Sequence, residues 1–84
     1  MSDAADIASA QRIFEDALSV AAPEPDVDII EAGLIDSLAL VTLLFELERE
    51  FDVQMPLESL DVDDFRTIAN IARTFASLRR EATA

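Results

Sequence analysis

The fold is decided by the stretch DSLALVTLLFELEREF, residues 36–51, which predicts a long amphipathic helix over residues 37–51. Asp36 is a good N-cap, because its carboxylate can accept hydrogen bonds from the free backbone N–H groups of the first turn. Two apolar rows then follow the helical repeat. The inner row, which should face the core, comprises Leu40, Leu43, Leu44, Leu47 and Phe51, and the outer row comprises Leu38, Val41 and Phe45, extended by Glu48.

The outer row needs an explanation, because a helix that is apolar all round must be buried all round. A chain of 84 residues makes one domain with a modest core, in which such burial is hard to arrange. We therefore expect Leu38, Val41 and Phe45 to lie exposed and to contact a partner protein. If the outer row were core instead, an aspartate at Val41 would unfold the protein.

A helix before this stretch is predicted over about residues 4–21, where apolar side chains recur at helical spacing. Ser2 or Asp3 can cap its start, and Pro23 with Pro25 prevents its continuation. This helix is amphipathic, with one apolar face for the core.

Residues after the central helix predict a last helix that begins beyond Thr67, which can cap it, and a brief helix around residues 61–65. Three arginines, Arg73, Arg79 and Arg80, lie toward the C-terminal end of the last helix, where the helix dipole favours cations. No segment alternates as a strand does. The sequence thus predicts an all-α fold, a small bundle of three long helices and one short helix.

A long irregular loop over residues 22–36 joins the first two helices and contains Gly33, the one glycine of the chain. Its composition is both acidic and apolar. Loops of this length inside a compact domain are often functional. The other interpretation is a packed connector, and the sequence leaves both open.

Composition removes most kinds of catalysis. The chain has no cysteine, histidine or lysine, so it lacks a thiolate nucleophile, the usual general base and the usual zinc ligands. Ser37 cannot belong to a Ser-His-Asp triad or a Ser-Lys pair. The acidic group of Asp61, Asp63 and Asp64 lacks the glycine and the closing glutamate of an EF-hand. We expect a non-enzymatic protein with no catalytic residues and no metal site.

A formal charge of −12 favours either simple solubility or attraction to basic patches on partner proteins. Such a charge repels nucleic acid phosphates and anionic membrane surfaces, so we expect neither as a partner. The acidic start, Met1-Ser2-Asp3, does not resemble a signal peptide, and no apolar run is long enough to span a bilayer. We expect a cytoplasmic monomer.

What remains for Ser37 is modification by another enzyme. A serine in the first turn of a helix, presented from a long loop, is accessible. The neighbouring backbone N–H groups and the positive end of the helix dipole suit an attached phosphodiester. Because the chain has no cysteine, any thioester chemistry would need a thiol from a prosthetic group.

The run Gly33-Leu34-Ile35-Asp36-Ser37-Leu38, after an acidic loop and before a long helix and Pro56, resembles the Asp-Ser-Leu signature of acyl, peptidyl and aminoacyl carrier proteins. In that family the serine carries 4′-phosphopantetheine, transferred from coenzyme A by a separate phosphopantetheinyl transferase. The resemblance implies that Ser37 is the attachment point, with Asp36 as helix cap and part of the motif. It also implies that the partner-binding residues are Leu38, Val41, Phe45 and Glu48.

Departures from the family pattern refine this interpretation. Fatty-acid carrier proteins typically have acidic residues early in this helix, where the present chain has Ala39 and Thr42. The segment over residues 56–67 looks more like that of D-alanyl carrier proteins and related stand-alone aminoacyl or peptidyl carriers.

The resemblance implies one carrier domain over residues 1–84, ordered over about 4–79 and free-standing. It would hold an aminoacyl, peptidyl or acyl group as a thioester and move it between an adenylating ligase, acyltransferases and synthase enzymes with basic or apolar docking patches. We expect specialised polyketide or nonribosomal peptide biosynthesis first. The alternatives are a D-alanyl carrier for cell-wall modification and an unmodified acidic interaction module.

Overall fold

The computed structural model of the protein describes residues 4–56, 58 and 61–83. Within them the chain forms three α-helices: α1 (Ala4–Leu18), α2 (Ser37–Phe51) and α3 (Ile68–Thr83). A 3₁₀ turn, Val62–Phe65, precedes α3. The described residues contain no strand, so the all-α prediction is confirmed. The brief helix predicted around residues 61–65 is a 3₁₀ turn of four residues, and the described residues form three α-helices beside it.

Helix α1 ends at Leu18, about three residues before the predicted end. The prediction relied on the prolines, but the chain already leaves the helix at Ser19, whose φ of 58° lies in the left-handed region. The Ser19 N–H still donates to the carbonyl of Glu15 at 2.8 Å, and the Glu15 carboxylate accepts from the N–H of Ala22 at 2.9 Å. Glu15 thus binds the chain as it turns away. The predicted caps, Ser2 and Asp3, lie outside the described residues.

Helix α2 has the predicted bounds because both of its ends are closed by local hydrogen bonds. Asp36 is extended, and its Oδ1 accepts from the N–H of Ala39 at 2.8 Å, as an N-cap does. At the other end Asp52 adopts the left-handed conformation, with φ of 56°, and its N–H donates to the carbonyl of Glu48.

Side chains from all three helices meet in one core that has the inner row of α2 at its centre. Leu43, Leu44, Leu47 and Phe51 are buried as predicted, whereas Leu40 is only half-buried at the core's edge. The Phe75 ring contacts two others at tilted or edge-to-face angles: its centroid is 5.8 Å from that of Phe51 and 6.1 Å from that of Phe65. Burying each such side chain contributes about 1.5–3 kcal/mol.

Helix α3 is capped at its start and contacts the other two helices near its end. Thr67 caps the helix as predicted, its Oγ1 accepting from the N–H of Asn70 at 3.0 Å. Near the other end the guanidinium of Arg79 donates to Asp6 of α1 at 3.1 Å and lies 4.9 Å from the centroid of the Phe51 ring. Arg79 therefore joins all three helices, in addition to its favourable position near the C-terminal end of the helix dipole.

Candidate attachment site and docking surface

The loop over residues 22–36 is packed down at defined points. Ile29 is fully buried, and its N–H donates to the carbonyl of Arg66 at 2.7 Å. The carbonyl of Pro25 accepts from the N–H of Ala69 at 3.0 Å, and the N–H of Leu34 donates to the carbonyl of Ile29 at 3.0 Å. The loop is thus a packed connector. Its packing determines the position of Asp36, the residue after which α2 begins.

A turn at Asp28 shapes the middle of this loop. Asp28 Oδ1 accepts from the N–H groups of Ile30, at 3.1 Å, and Glu31, at 2.9 Å, while Oδ2 accepts from Arg66 Nη1 at 3.4 Å. The backbone hydrogen bond from Glu31, followed by the charge of Arg66, holds the pKa of Asp28 below its ordinary value. Arg66 Nε also donates to Asp63 Oδ1 at 2.6 Å, and this bond raises the pKa of Arg66.

Gly33 lets the loop reverse toward α2. Its φ is +73°, and a Cβ placed on it would meet no heavy atom within 4 Å. The left-handed backbone rather than crowding therefore favours glycine here.

Ser37 is the first residue of α2, and it is exposed. It follows Asp36, whose carboxylate is occupied by the N–H of Ala39, so the carboxylate orients the helix start rather than the serine hydroxyl. Ser37 has no histidine or lysine to activate it, because the chain has neither. The hydroxyl is available to an external enzyme and unsuited to catalysis by the chain itself.

The outer row of α2 lies on the surface next to this serine. The exposed fractions are 76% for Leu38, 45% for Val41 and 63% for Phe45. Apolar side chains exposed together in this way are typical of contact surfaces. Glu48, placed at the end of the row by the sequence, is half-buried, and its Oε2 accepts from the N–H of Met55 at 2.8 Å. Part of its carboxylate is therefore used to hold the chain after α2.

Sequence reasoning missed one wall of the site. A shallow groove of about 220 Å³ lies beside Ser37; its lining residues are Ile30, Ile35, Asp36, Ser37, Leu40 and Val62. Val62, which is 47% exposed, comes from the 3₁₀ turn, 25 positions along the chain from Ser37. Only the apolar character of Val62 inside an acidic segment could have indicated such a role.

The described residues offer no group of three or more acidic side chains arranged to hold a metal ion. Asp61 instead caps the 3₁₀ turn, its Oδ1 accepting from the N–H of Asp63 at 2.9 Å. None of the helices in the described part of the chain is long and apolar enough to cross a membrane.

Comparison with known proteins places this chain in a family. Residues 9–75 match the family described by its phosphopantetheine attachment site. The chain belongs to this family of carrier proteins. Its prosthetic group is 4′-phosphopantetheine, attached covalently. The exposed Ser37 hydroxyl at a capped helix start fits such a group, because nothing covers it and the first-turn N–H groups suit a phosphodiester.

Two relatives of this carrier are D-alanyl carrier proteins. The D-alanyl carrier protein of Bacillus subtilis is 38% identical over 55 residues, which cover 66% of this chain and 70% of the relative. The D-alanyl carrier protein of Streptococcus sanguinis is 37% identical over 54 residues, covering 64% of this chain and 68% of the relative.

Proposed function

We propose that this carrier holds an aminoacyl group as a thioester on 4′-phosphopantetheine attached to Ser37. The observation that carries the proposal is the exposed serine at the first residue of α2, directly after the N-cap Asp36 and inside the region that matches the family. The prosthetic group supplies the thiol that a chain without cysteine cannot.

Attachment would need a separate transferase. The Ser37 hydroxyl oxygen bonds to the phosphorus nearest the pantetheine of coenzyme A, and the bond from that phosphorus to the nucleotide portion breaks. The nucleotide leaves, and the hydroxyl proton passes to a base of the transferase, because no histidine or lysine of this chain can accept it. The residues of the carrier only present the serine.

The relatives change our ranking of cargo. From the sequence, specialised polyketide or nonribosomal peptide biosynthesis came first and D-alanine came last. The relatives are D-alanyl carrier proteins, which favours an amino acid, and D-alanine first among amino acids. An adenylating ligase is accordingly the loading partner that we propose, with specialised amino acids as the second cargo class.

Leu38, Val41 and Phe45 are proposed as the surface that such partners contact. They are exposed, apolar and on the same helix as Ser37, so a partner bound there would lie close to the attached group. The acidic charge of the chain would direct it toward basic surfaces and act mainly on the rate of encounter.

The attachment site is tested by incubating the protein with coenzyme A and a broad-specificity phosphopantetheinyl transferase and weighing it intact. We expect a mass gain of one phosphopantetheine group, lost in Ser37→Ala. Ser77→Ala, at a half-buried serine of α3, is the matched control and should still be modified. An unmodified wild type would refute the proposal and favour the unmodified interaction module, whereas modification that survives Ser37→Ala would refute Ser37 as the attachment point.

The cargo is tested on the modified protein with a D-alanine ligase and ATP, with L-alanine and D-serine offered separately. We expect D-alanine to be loaded as a thioester that hydroxylamine releases. Failure of D-alanine, together with loading by an adenylating enzyme of specialised metabolism, would move the cargo to the second class.

A further inference from the structure

The groove beside Ser37 is built from two segments that are distant in sequence. Ile30 and Ile35 belong to the loop over residues 22–36, whereas Val62 belongs to the 3₁₀ turn. Backbone hydrogen bonds from Ile29 to Arg66 and from Ala69 to Pro25 already tie the loop to the chain after the turn, so a side-chain link would refine how the two segments sit beside Ser37. The position of the loop relative to the turn then decides how Ser37 is presented.

Arg66 joins these two segments. Its Nη1 donates to Asp28 Oδ2 of the loop at 3.4 Å, and its Nε donates to Asp63 Oδ1 of the 3₁₀ turn at 2.6 Å. Its carbonyl accepts from the N–H of Ile29 at 2.7 Å. A guanidinium suits this task because its donors are held in a rigid fork, so two carboxylates bound to it are held in a defined relation.

The link continues from Asp28 to the groove itself. The carboxylate that accepts from Arg66 also accepts from the N–H groups of Ile30 and Glu31. Ile30 lines the groove, and Asp63 directly follows Val62, which lines the opposite side. The Arg66 guanidinium is therefore only a few bonds away from Ile30 and from Val62.

We propose that Arg66 is a positioning residue that, by binding Asp28 and Asp63 together, keeps the loop and the 3₁₀ turn in the arrangement in which Ser37 is presented to its partner enzymes. This inference rests on the function proposed above. The two ion pairs are partly exposed, so they contribute little to stability, and their effect lies in which loop conformation is populated.

Steady-state kinetics of transferase modification of Ser37 test the inference. In Arg66→Gln a smaller fraction of molecules has the competent loop, so the apparent KM rises in inverse proportion to that fraction and kcat is unchanged. We expect KM to rise about two- to fivefold, the range for losing an exposed ion pair. Arg73→Gln makes the same charge change at an exposed arginine of α3, and this variant should behave as wild type. Arg66→Lys should recover only part of the loss, because an ammonium lacks the fork.

A more conservative variant, Asp28→Asn, tests the same link in case Arg66→Gln does not fold. Asp28→Asn keeps an oxygen that can accept from Ile30 and Glu31 but removes the charge that Arg66 binds, so its KM should rise as in Arg66→Gln. The double variant should be no worse than Arg66→Gln alone, since that variant already removes the Asp28 pair together with the Asp63 pair. Thermal unfolding of every variant is measured in parallel and should change little.

Hydrogen exchange gives a readout that needs no partner enzyme. The Leu34 N–H, which donates to Ile29 within the loop, should exchange faster in Arg66→Gln than in Arg73→Gln. Equal exchange and equal KM in the two variants would overturn the positioning role, while modification of wild-type Ser37 would leave the proposed function standing. A wild type that is never modified would instead remove both.

Discussion

Val41→Asp should separate docking from folding on α2. Val41 is 45% exposed, so an aspartate there can keep its charge in water, and the variant loses only the buried half of a valine side chain. Since full burial of such a side chain contributes about 1.5–3 kcal/mol, the cost is about 1 kcal/mol. For a domain of this size that lowers Tm by roughly 4–8 °C.

Leu47→Asp is the contrasting perturbation on the same helix. Leu47 has no exposed surface, so the variant loses the full burial and also forces a carboxylate into an apolar core. The stability of an 84-residue domain is about 4–13 kcal/mol at ordinary values per residue. We expect Leu47→Asp to be largely unfolded at room temperature.

The effect on function is measured on modified protein by ligase kinetics. If the outer row contacts the ligase, a charge at Val41 should lower kcat/KM about 30-fold, the loss expected at a central contact residue. Val20→Asp is the matched control, because Val20 is 49% exposed, is also a valine and lies after α1 rather than on α2. It should fold and be loaded as wild type.

Two results would refute this reasoning. Unfolding of Val41→Asp in circular dichroism melts would show that the outer row is core. Normal loading of a folded Val41→Asp, equal to that of Val20→Asp, would show that partners bind elsewhere.

Three smaller perturbations test local features of the site. Asp36→Ala removes the N-cap of α2 and should lower the free energy of unfolding by about 1 kcal/mol, which is measured as a lower Tm. An unchanged Tm would show that the cap contributes nothing. Gly33→Ala places a side chain on left-handed backbone and should destabilise by about 1 kcal/mol without a clash; no change in the denaturation midpoint would contradict this. The pKa of Asp28 is lower in the folded protein than in the unfolded chain, so its contribution is complete above about pH 4 and is lost as acid titrates the folded carboxylate. Asp28→Asn should therefore flatten the loss of stability on acidification, and an identical pH profile would show that folding does not lower the pKa of Asp28.

Local interactions could be predicted from the residues alone. The bounds of α2 follow from Asp36 and from an apolar repeat that ends at Phe51, and the Thr67 cap is a contact with a residue three positions away. The exposure of Val41 and Phe45 was also predictable, because one helix of a small domain cannot bury two apolar rows. The likeness to carrier proteins rested on the run around Ser37 together with its context over about residues 26–75.

Contacts made where the chain leaves a helix, and contacts between distant segments, were decided only when the chain folded. After α1 the Glu15 carboxylate binds the N–H of Ala22, and after α2 that of Glu48 binds the N–H of Met55, although the spacing of Glu48 suggested a place in the outer row. Asp28 and Arg66 are 38 positions apart, and nothing in the spacing of charges indicates that they meet. Helical repeats and caps report on neighbours within one or two turns, whereas the groove beside Ser37 depends on how the loop and the 3₁₀ turn pack on a shared core.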